Sequence, residues 1–295
     1  MKKLLLSSIV AFSLLGNSLY ALDTNATSKN VSKNALEVAK SKANKQKNDT
    51  KIIKEAVDSI QLVAKTIDNI NKNKNDEAIK SLEKAIGKIE IILSNPKAPA
   101  LIPIDSKVIV AEYLDTSRSA ENAIITSIAL LENKRIQEAR KIILSLVDEV
   151  DFTTISLPLS SYPSALKLAA KKLQENKPQK AKNILINTLN TFVSIKTVSP
   201  IGILEAQDLI VAASKVAKND KKLALSHLSA AKMALKKSEV LGYVSSSSTT
   251  YKKLAEQIEK VQKEIKGKNK AEKLFNSLIN SIKEFKNNAL KTLKK

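Results

Sequence analysis

The sequence predicts an all-α protein of stacked antiparallel helical hairpins with a small two-stranded extended element. Three observations carry that prediction. Apolar residues at helical spacing run through most of the chain. Short polar turns built on Asn interrupt them at recurring positions. Helix-disfavouring and bulky residues are scarce, with five Gly, seven Pro, five Tyr, five Phe and no Trp in 295 residues. Such a composition belongs to helical proteins.

From the N-terminus, residues 1–21 read as a signal peptide, with cleavage after Ala21. Lys2 and Lys3 supply the positive start, and the apolar run Leu4–Leu15 follows. That run is shorter than the roughly 20 residues needed to span a bilayer. The expected address is the periplasm. The chain has no Cys, so it has neither a lipid attachment site nor a disulfide and must be held by its core. Residues 22–48 read as a flexible polar leader, with one short helix starting near Ser32. Within it, Asp23-Thr24-Asn25-Ala26-Thr27 is an N-x-T acceptor with an acid two residues before Asn25.

Residues 49–295 read as a single helical domain. Its turns are Asn73–Ala78, Asn133–Ala139, Asn176–Ala181 and Asn219–Ala224. Asn tolerates the left-handed conformation that ends a helix, and Pro178 suits a first helical turn. The flanking helices carry Ile124, Ile128 and Leu131, then Ile136, Ala139, Ile143 and Leu146, around the second turn. Around the third stand Leu166, Ala169, Ala170 and Leu173, then Ala181, Leu185, Leu189 and Phe192. Around the fourth stand Leu209, Ala212, Ala213 and Val216, then Ala224, Leu228, Ala231 and Leu235. Spacings of three and four place each set on one helical face. The helix–turn–helix economy is that of tetratricopeptide-like repeats, although the period is loose and the aromatic and Gly positions differ.

Three segments break the helical theme. Residues 95–113, with Pro96, Pro99 and Pro103, read as an ordered linker. Phe152–Leu159 and Val193–Pro200 alternate as strands and return at the same end of a hairpin, so they are expected to pair. Pro158 cannot donate to a ladder and predicts an edge position there. From about residue 251 a Lys-rich helical pair closes the chain. Leu254, Ile258, Val261 and Ile265 form one seam, and Leu274, Leu278, Ile282 and Phe285 the next. A packed or self-associating pair is expected, with a membrane-surface tail as the other reading.

Net charge is +21, and loss of Lys2 and Lys3 with the signal peptide leaves +19. Nucleic acid is not the expected partner. Arg, the usual reader of phosphate and base edges, occurs only at 118, 135 and 140, and the Lys are spread along the chain. Anionic envelope components are the acidic neighbours such a chain would meet, although scattered Lys also simply solvate helix surfaces.

No residue set forms a catalytic, cofactor or metal site, and no binding residues can be assigned. His227 is the one His; it lacks the company a metal site needs and reads as a partly buried structural residue. Asp148, Glu149 and Asp151 cluster at the end of a helix, where the dipole opposes them. They read as a solvated linker, with acid sensing as the sharper reading. Ser245–Ser248 with Thr249 is a polar loop, and Thr250 a candidate helix cap.

The order of hairpin, extended Leu-Pro segment, hairpin, extended segment and hairpin resembles the YfdX family of exported helical proteins. Thr153–Leu159, the helix Ala165–Leu173, the Asn176–Ala181 turn and Leu185–Val193 carry the resemblance, which the Ala212-Ala213 helix continues. Ala234-Leu235 and Glu239–Tyr243 look like that family's end of a hairpin. The resemblance spans roughly Asp49 to Lys266. It implies a periplasmic, mainly helical, oligomeric protein associated with acid and envelope stress, with chaperone-like or ligand-binding roles and no catalytic residues. The expected function is therefore non-enzymatic, without a cofactor, and its partners are unfolded proteins or small ligands. A tetratricopeptide-like adaptor with one protein partner is the alternative.

Overall fold

Four helix ends punctuate the chain with the same device. Asn73, Lys134 and Asn176 adopt left-handed φ values of 58°, 59° and 56°, and Gly242 follows at 81°. Each is bracketed by two reverse bonds. Lys74 N–H donates to the Asn69 carbonyl at 2.9 Å and Arg135 N–H to Leu130 at 2.8 Å; Lys177 N–H reaches Lys172 at 2.8 Å and Tyr243 N–H reaches Ser238 at 3.0 Å. These are Schellman caps, which satisfy carbonyls otherwise orphaned at a helix end. In the second turn the left-handed residue is Lys134, not the predicted Asn133.

The computed structural model describes residues 26–245, 248–266 and 271–292. The expected signal peptide and Asn25 lie outside them. The described residues are predominantly helical, with eleven helices and one three-stranded antiparallel sheet. None of these helices is long and apolar enough to cross a membrane. In chain order the elements are α1 (Ser28–Asp49), α2 (Lys54–Asn71), α3 (Asn75–Leu93), β1 (Leu101–Ala111), α4 (Ser117–Glu132), α5 (Ile136–Ser145) and β2 (Glu149–Pro158). Then come α6 (Tyr162–Gln174), α7 (Pro178–Leu189), β3 (Val193–Pro200), α8 (Ile201–Val216), α9 (Lys221–Val240), α10 (Thr249–Lys266) and α11 (Ala271–Thr292).

The sheet has the order β1-β2-β3. The two predicted segments are indeed neighbours, but a third strand, β1, stands where a linker was expected. It contains Pro103, which an edge strand tolerates. Pro158 belongs to the central strand, against expectation. It is the last residue of β2, where its missing N–H interrupts no run of ladder bonds.

Where a single domain was expected from residue 49, the chain divides into two compact units. Among described residues the first holds Lys47–Lys107 and Thr153–Lys196; the second holds 26–46, Val108–Phe152 and the chain from Thr197. Among described residues one crossing falls inside α1 and the other three inside strands, which is why no loop in the sequence marks a border.

In the first unit the hairpins α2–α3 and α6–α7 pack on each other around Val63, Ile70, Leu82, Ile89, Leu166 and Leu185. Tyr162 is fully buried among them; its hydroxyl lies 3.4 Å from Ser59 Oγ, which donates to the Ala85 carbonyl at 3.0 Å. In the second unit α8 is the central helix, paired with α9 and flanked by α11. Leu254, Ile258, Val261 and Ile265 of α10 and Leu278, Ile282 and Phe285 of α11 complete that core. The Lys-rich pair is thus packed, and its apolar faces are covered.

Residues 28–46 are not a flexible leader. Val31, Leu36, Ala39 and Ala43 of α1 are buried, the last three together with Val150 and Ile201. Small apolar residues at spacings of three to five give this polar segment a narrow stripe that suffices when tertiary contacts supply the rest.

Gly202 shows how tightly α8 and α9 meet. A Cβ there would lie 2.5 Å from Ser238 Oγ and 2.6 Å from the Ala234 carbonyl oxygen. The α4–α5 hairpin behaves differently. Ile128, Leu131, Ile136 and Ile143, expected on inward faces, are 45–58% exposed. Only Ala120, Ser127 and Ala139 are buried on these two helices.

Candidate functional site

The Asp148–Asp151 run enters a buried strand. Helix α5 ends at Ser145 and β2 opens at Glu149. Asp148 is 1% exposed, Glu149 8% and Asp151 5%, so the expected solvated linker is overturned. A buried carboxylate survives only with partners, and Asp148 has them on every side. Its Oδ1 accepts from the Tyr113 N–H at 3.1 Å. Its Oδ2 lies 3.0 Å from Lys237 Nζ in an ion pair. Its own N–H donates to Tyr243 Oη at 2.9 Å, and its carbonyl accepts from the Ile201 N–H at 2.9 Å.

Tyr243 links this group to the next. Its hydroxyl donates to Glu149 Oε2 at 2.7 Å. The left-handed Gly242 ends α9 and turns the chain so that Tyr243 comes back over the strand. One turn up α9, Lys237 also faces Glu205 of α8, at 4.0 Å. Three carboxylates therefore share one ammonium and one phenol in the interior of the second unit. Burial pushes the Glu205 carboxyl above its ordinary value; Lys237 pulls it down, and Asp148 and Glu112 push it up further. Burial likewise holds the Tyr243 phenol far above its usual range, against the Asp148 N–H it accepts and reinforced by the neighbouring Glu149 and Asp148 carboxylates.

Chemically the cluster stores charge. It joins an ion pair to a hydrogen-bonded phenol. Its three carboxyl groups outnumber its one ammonium. Sequence reasoning found Asp148, Glu149 and Asp151 but missed Lys237, Glu205 and Tyr243, which join them from more than 50 positions away.

His227 is 1% exposed, and its Nδ1 lies 2.9 Å from Ser28 Oγ of α1. Burial holds its imidazole below the ordinary value, opposed by Asp220. Among the described residues no group of three or more His, Asp or Glu could hold a metal ion. In the polar loop Ser248 Oγ accepts from the Tyr251 N–H at 3.5 Å, while the side chain of Thr250 lies outside the described ones. Open clefts are present among the described residues. A groove of about 670 Å³ between α2 and α3 is lined by Leu62, Lys65, Lys84, Gly87 and Ile91 among others. A cleft of about 600 Å³ at the ends of α8 to α11 is lined by Lys215, Lys218, Ile265 and Phe275 among others.

The described residues thus form helical hairpins and a three-stranded sheet, with a buried acid cluster in the second unit. Residues 56–198 match the family model described as YfdX protein. The match is narrower than the resemblance read from the motifs. It includes Asp148, Glu149 and Asp151 and excludes Glu205, Lys237 and Tyr243. A solved structure, Salmonella Typhi YfdX, is similar at 20% identity over 52% of this chain and 95% of that chain, with a TM-score of 0.36. At that score the likeness carries no argument about arrangement. No curated protein matches the chain.

Proposed function

We propose that this chain is an exported, periplasmic and non-enzymatic protein of envelope stress that holds unfolded proteins or small ligands and responds to acid. The observation that carries the reading is the buried cluster of Asp148, Glu149 and Glu205 around Lys237 and Tyr243. Burial holds the Glu205 carboxyl above its ordinary value, so lowering the pH neutralises it and removes negative charge beside Lys237. Acid therefore changes the charge balance where β2, α8 and α9 meet inside the second unit, through a protonation that the folded unit favours. The half-exposed groove between α2 and α3, with Ile91 58% exposed beside Lys65 and Lys84, is a surface on which an apolar segment could rest.

The test is suppression of aggregation of an unrelated unfolded protein by residues 22–295, from about pH 4 to pH 7. Protection that rises on acidification, and that becomes insensitive to pH in Glu205→Gln, is expected. No protection at any pH would overturn the client-holding role. Protection with an unchanged pH profile in Glu205→Gln would overturn the cluster as its trigger.

A further inference from the structure

The α4–α5 hairpin is chemically unlike the rest of the molecule. All three Arg of the chain lie in it, at 118, 135 and 140, whereas the other basic residues are 47 Lys. Helix α4, SRSAENAIITSIALLE, contains no Lys at all. Every other helix described has at least one. Protein interfaces are enriched in Arg and depleted in Lys, and that contrast has meaning in a chain otherwise supplied with Lys.

The outward face of α4 carries a regular pattern. Arg118, Glu121, Ile125, Ile128 and Glu132 follow spacings of three, four, three and four, and all five are exposed, Ile125 at 64% and Ile128 at 50%. That spacing defines a narrow seam on one side of a helix, of the kind two helices use to pair. The buried Ala120 and Ser127 lie on the opposite side, so packing within the unit leaves the seam open. Neither Arg118 nor Glu132 has an ion-pair partner among the described residues, whereas Glu121 reaches Lys236 of α9 at 3.5 Å.

The order of charges along this seam selects its occupant. Arg118 stands at one end, Glu132 at the other, and Ile125 midway between them. When a second α4 is laid antiparallel about a two-fold axis through Ile125, Arg118 of each copy meets Glu132 of the other. Ile125 then packs against itself. An isologous interface demands this kind of self-complementarity. A parallel arrangement would instead set Arg118 against Arg118 and Glu132 against Glu132. We infer that the exposed face of α4 is a homodimer interface, an antiparallel α4–α4 seam centred on Ile125 and closed at both ends by Arg118–Glu132 ion pairs. The inference does not depend on the acid response, because none of these residues belongs to the buried cluster.

The experiment is sedimentation equilibrium of residues 22–295 as wild type, Ile125→Glu, Arg118→Glu, Glu132→Arg and the double swap. Circular dichroism and urea midpoints check that each variant is folded, and surface positions such as these seldom disturb a fold. The wild type should dimerise reversibly. Ile125→Glu puts two carboxylates on the axis, and each single swap sets like charges at both ends. Each should weaken dimerisation at least about tenfold. The double swap should restore most of the wild-type affinity, because it regenerates both ion pairs with their signs exchanged. A monomeric wild type, a dimer indifferent to Ile125→Glu, or a double swap no better than the single swaps would each overturn the seam.

Discussion

Replacing Lys237 by Met is the sharpest probe of the buried cluster. Lys237 is 16% exposed and, among the described residues, is the one cation within 4.0 Å of both Asp148 and Glu205, with Asp148 at 3.0 Å and only 1% exposed. Removing one partner of a buried pair generally costs about 3–5 kcal/mol, because the other charge is left without compensation. Asp148 keeps its bond from the Tyr113 N–H, which places the expected loss nearer the lower figure. The sign of the pH dependence follows from Glu205. Its carboxyl is held above its ordinary value, so its charged form costs stability at neutral pH and the cost is relieved as pH falls through that raised value. Without Lys237 the cost at neutral pH grows, and so does the relief on acidification. Urea unfolding followed by far-ultraviolet circular dichroism would measure it. The defect should be about 3 kcal/mol at neutral pH and should shrink towards pH 4. Since the substitution lies in the second unit, a transition belonging to the first unit should not move. A loss below about 1 kcal/mol at neutral pH, the size of an exposed pair, would refute the reasoning, as would a defect that acid leaves unchanged.

Three further outcomes are expected. Gly202→Ala drives a methyl group to 2.5 Å from Ser238 Oγ and 2.6 Å from the Ala234 carbonyl, and should cost about 1–3 kcal/mol in the same urea experiment; a neutral result would mean that α8 and α9 separate freely. Lys286 of α11 is 6% exposed and donates to Gln207 Oε1 at 2.6 Å, and burial lowers its amine from 10.5 to about 8. At neutral pH, below both values, it is charged in the folded and unfolded chain and the whole burial cost applies, so Lys286→Met should raise stability by about 1–3 kcal/mol, a gain that shrinks as pH rises above 8; destabilisation by Met would refute this. His227 is buried neutral, so the stability it gives is full above the unfolded value of about 6.5 and is lost as pH falls through its depressed folded value. A melting series on His227→Gln should lack the pH-dependent component that the wild type shows below about pH 6.5, and an unchanged profile would remove His227 from the acid response.

Helix faces were legible wherever a hairpin packs on another hairpin. Leu166, Ala169 and Leu173 of α6 and Ala181 and Leu185 of α7 lie in the core their spacing predicts. The Asn turns were legible for the same local reason, since Asn73 and Asn176 take up the left-handed conformation themselves. What stayed hidden depended on distant partners. Strand β1 looks like a linker because Pro99 and Pro103 are read locally, while its place beside β2 is a tertiary fact. Helix α1 looks like a leader because Lys and Asn outnumber its few buried residues. Asp148 and Glu149 read as solvated because charge runs usually are, and only Lys237 and Tyr243, about 90 positions downstream, reverse that. Periodicity also cannot tell a face that meets the core from one that meets another molecule. Ile128 and Ile143 have the spacing of core residues and yet are about half exposed.

The three strands, each divided between the two units near its middle, determine how this protein can be made and broken. The first unit takes residues from both sides of the second unit's Val108–Phe152 segment, and the second resumes only at Thr197. A chain delivered from its N-terminus therefore cannot complete the first unit until about residue 196 has emerged. The second waits for its last helices, although α1 arrives first of all. Its earliest ordered segment must stay unpaired until α8 is delivered some 150 residues later. Such long-range closure slows folding and prolongs the exposure of unfinished surfaces. It also means that no single cut yields two intact halves, so an interrupted chain leaves both units incomplete at once.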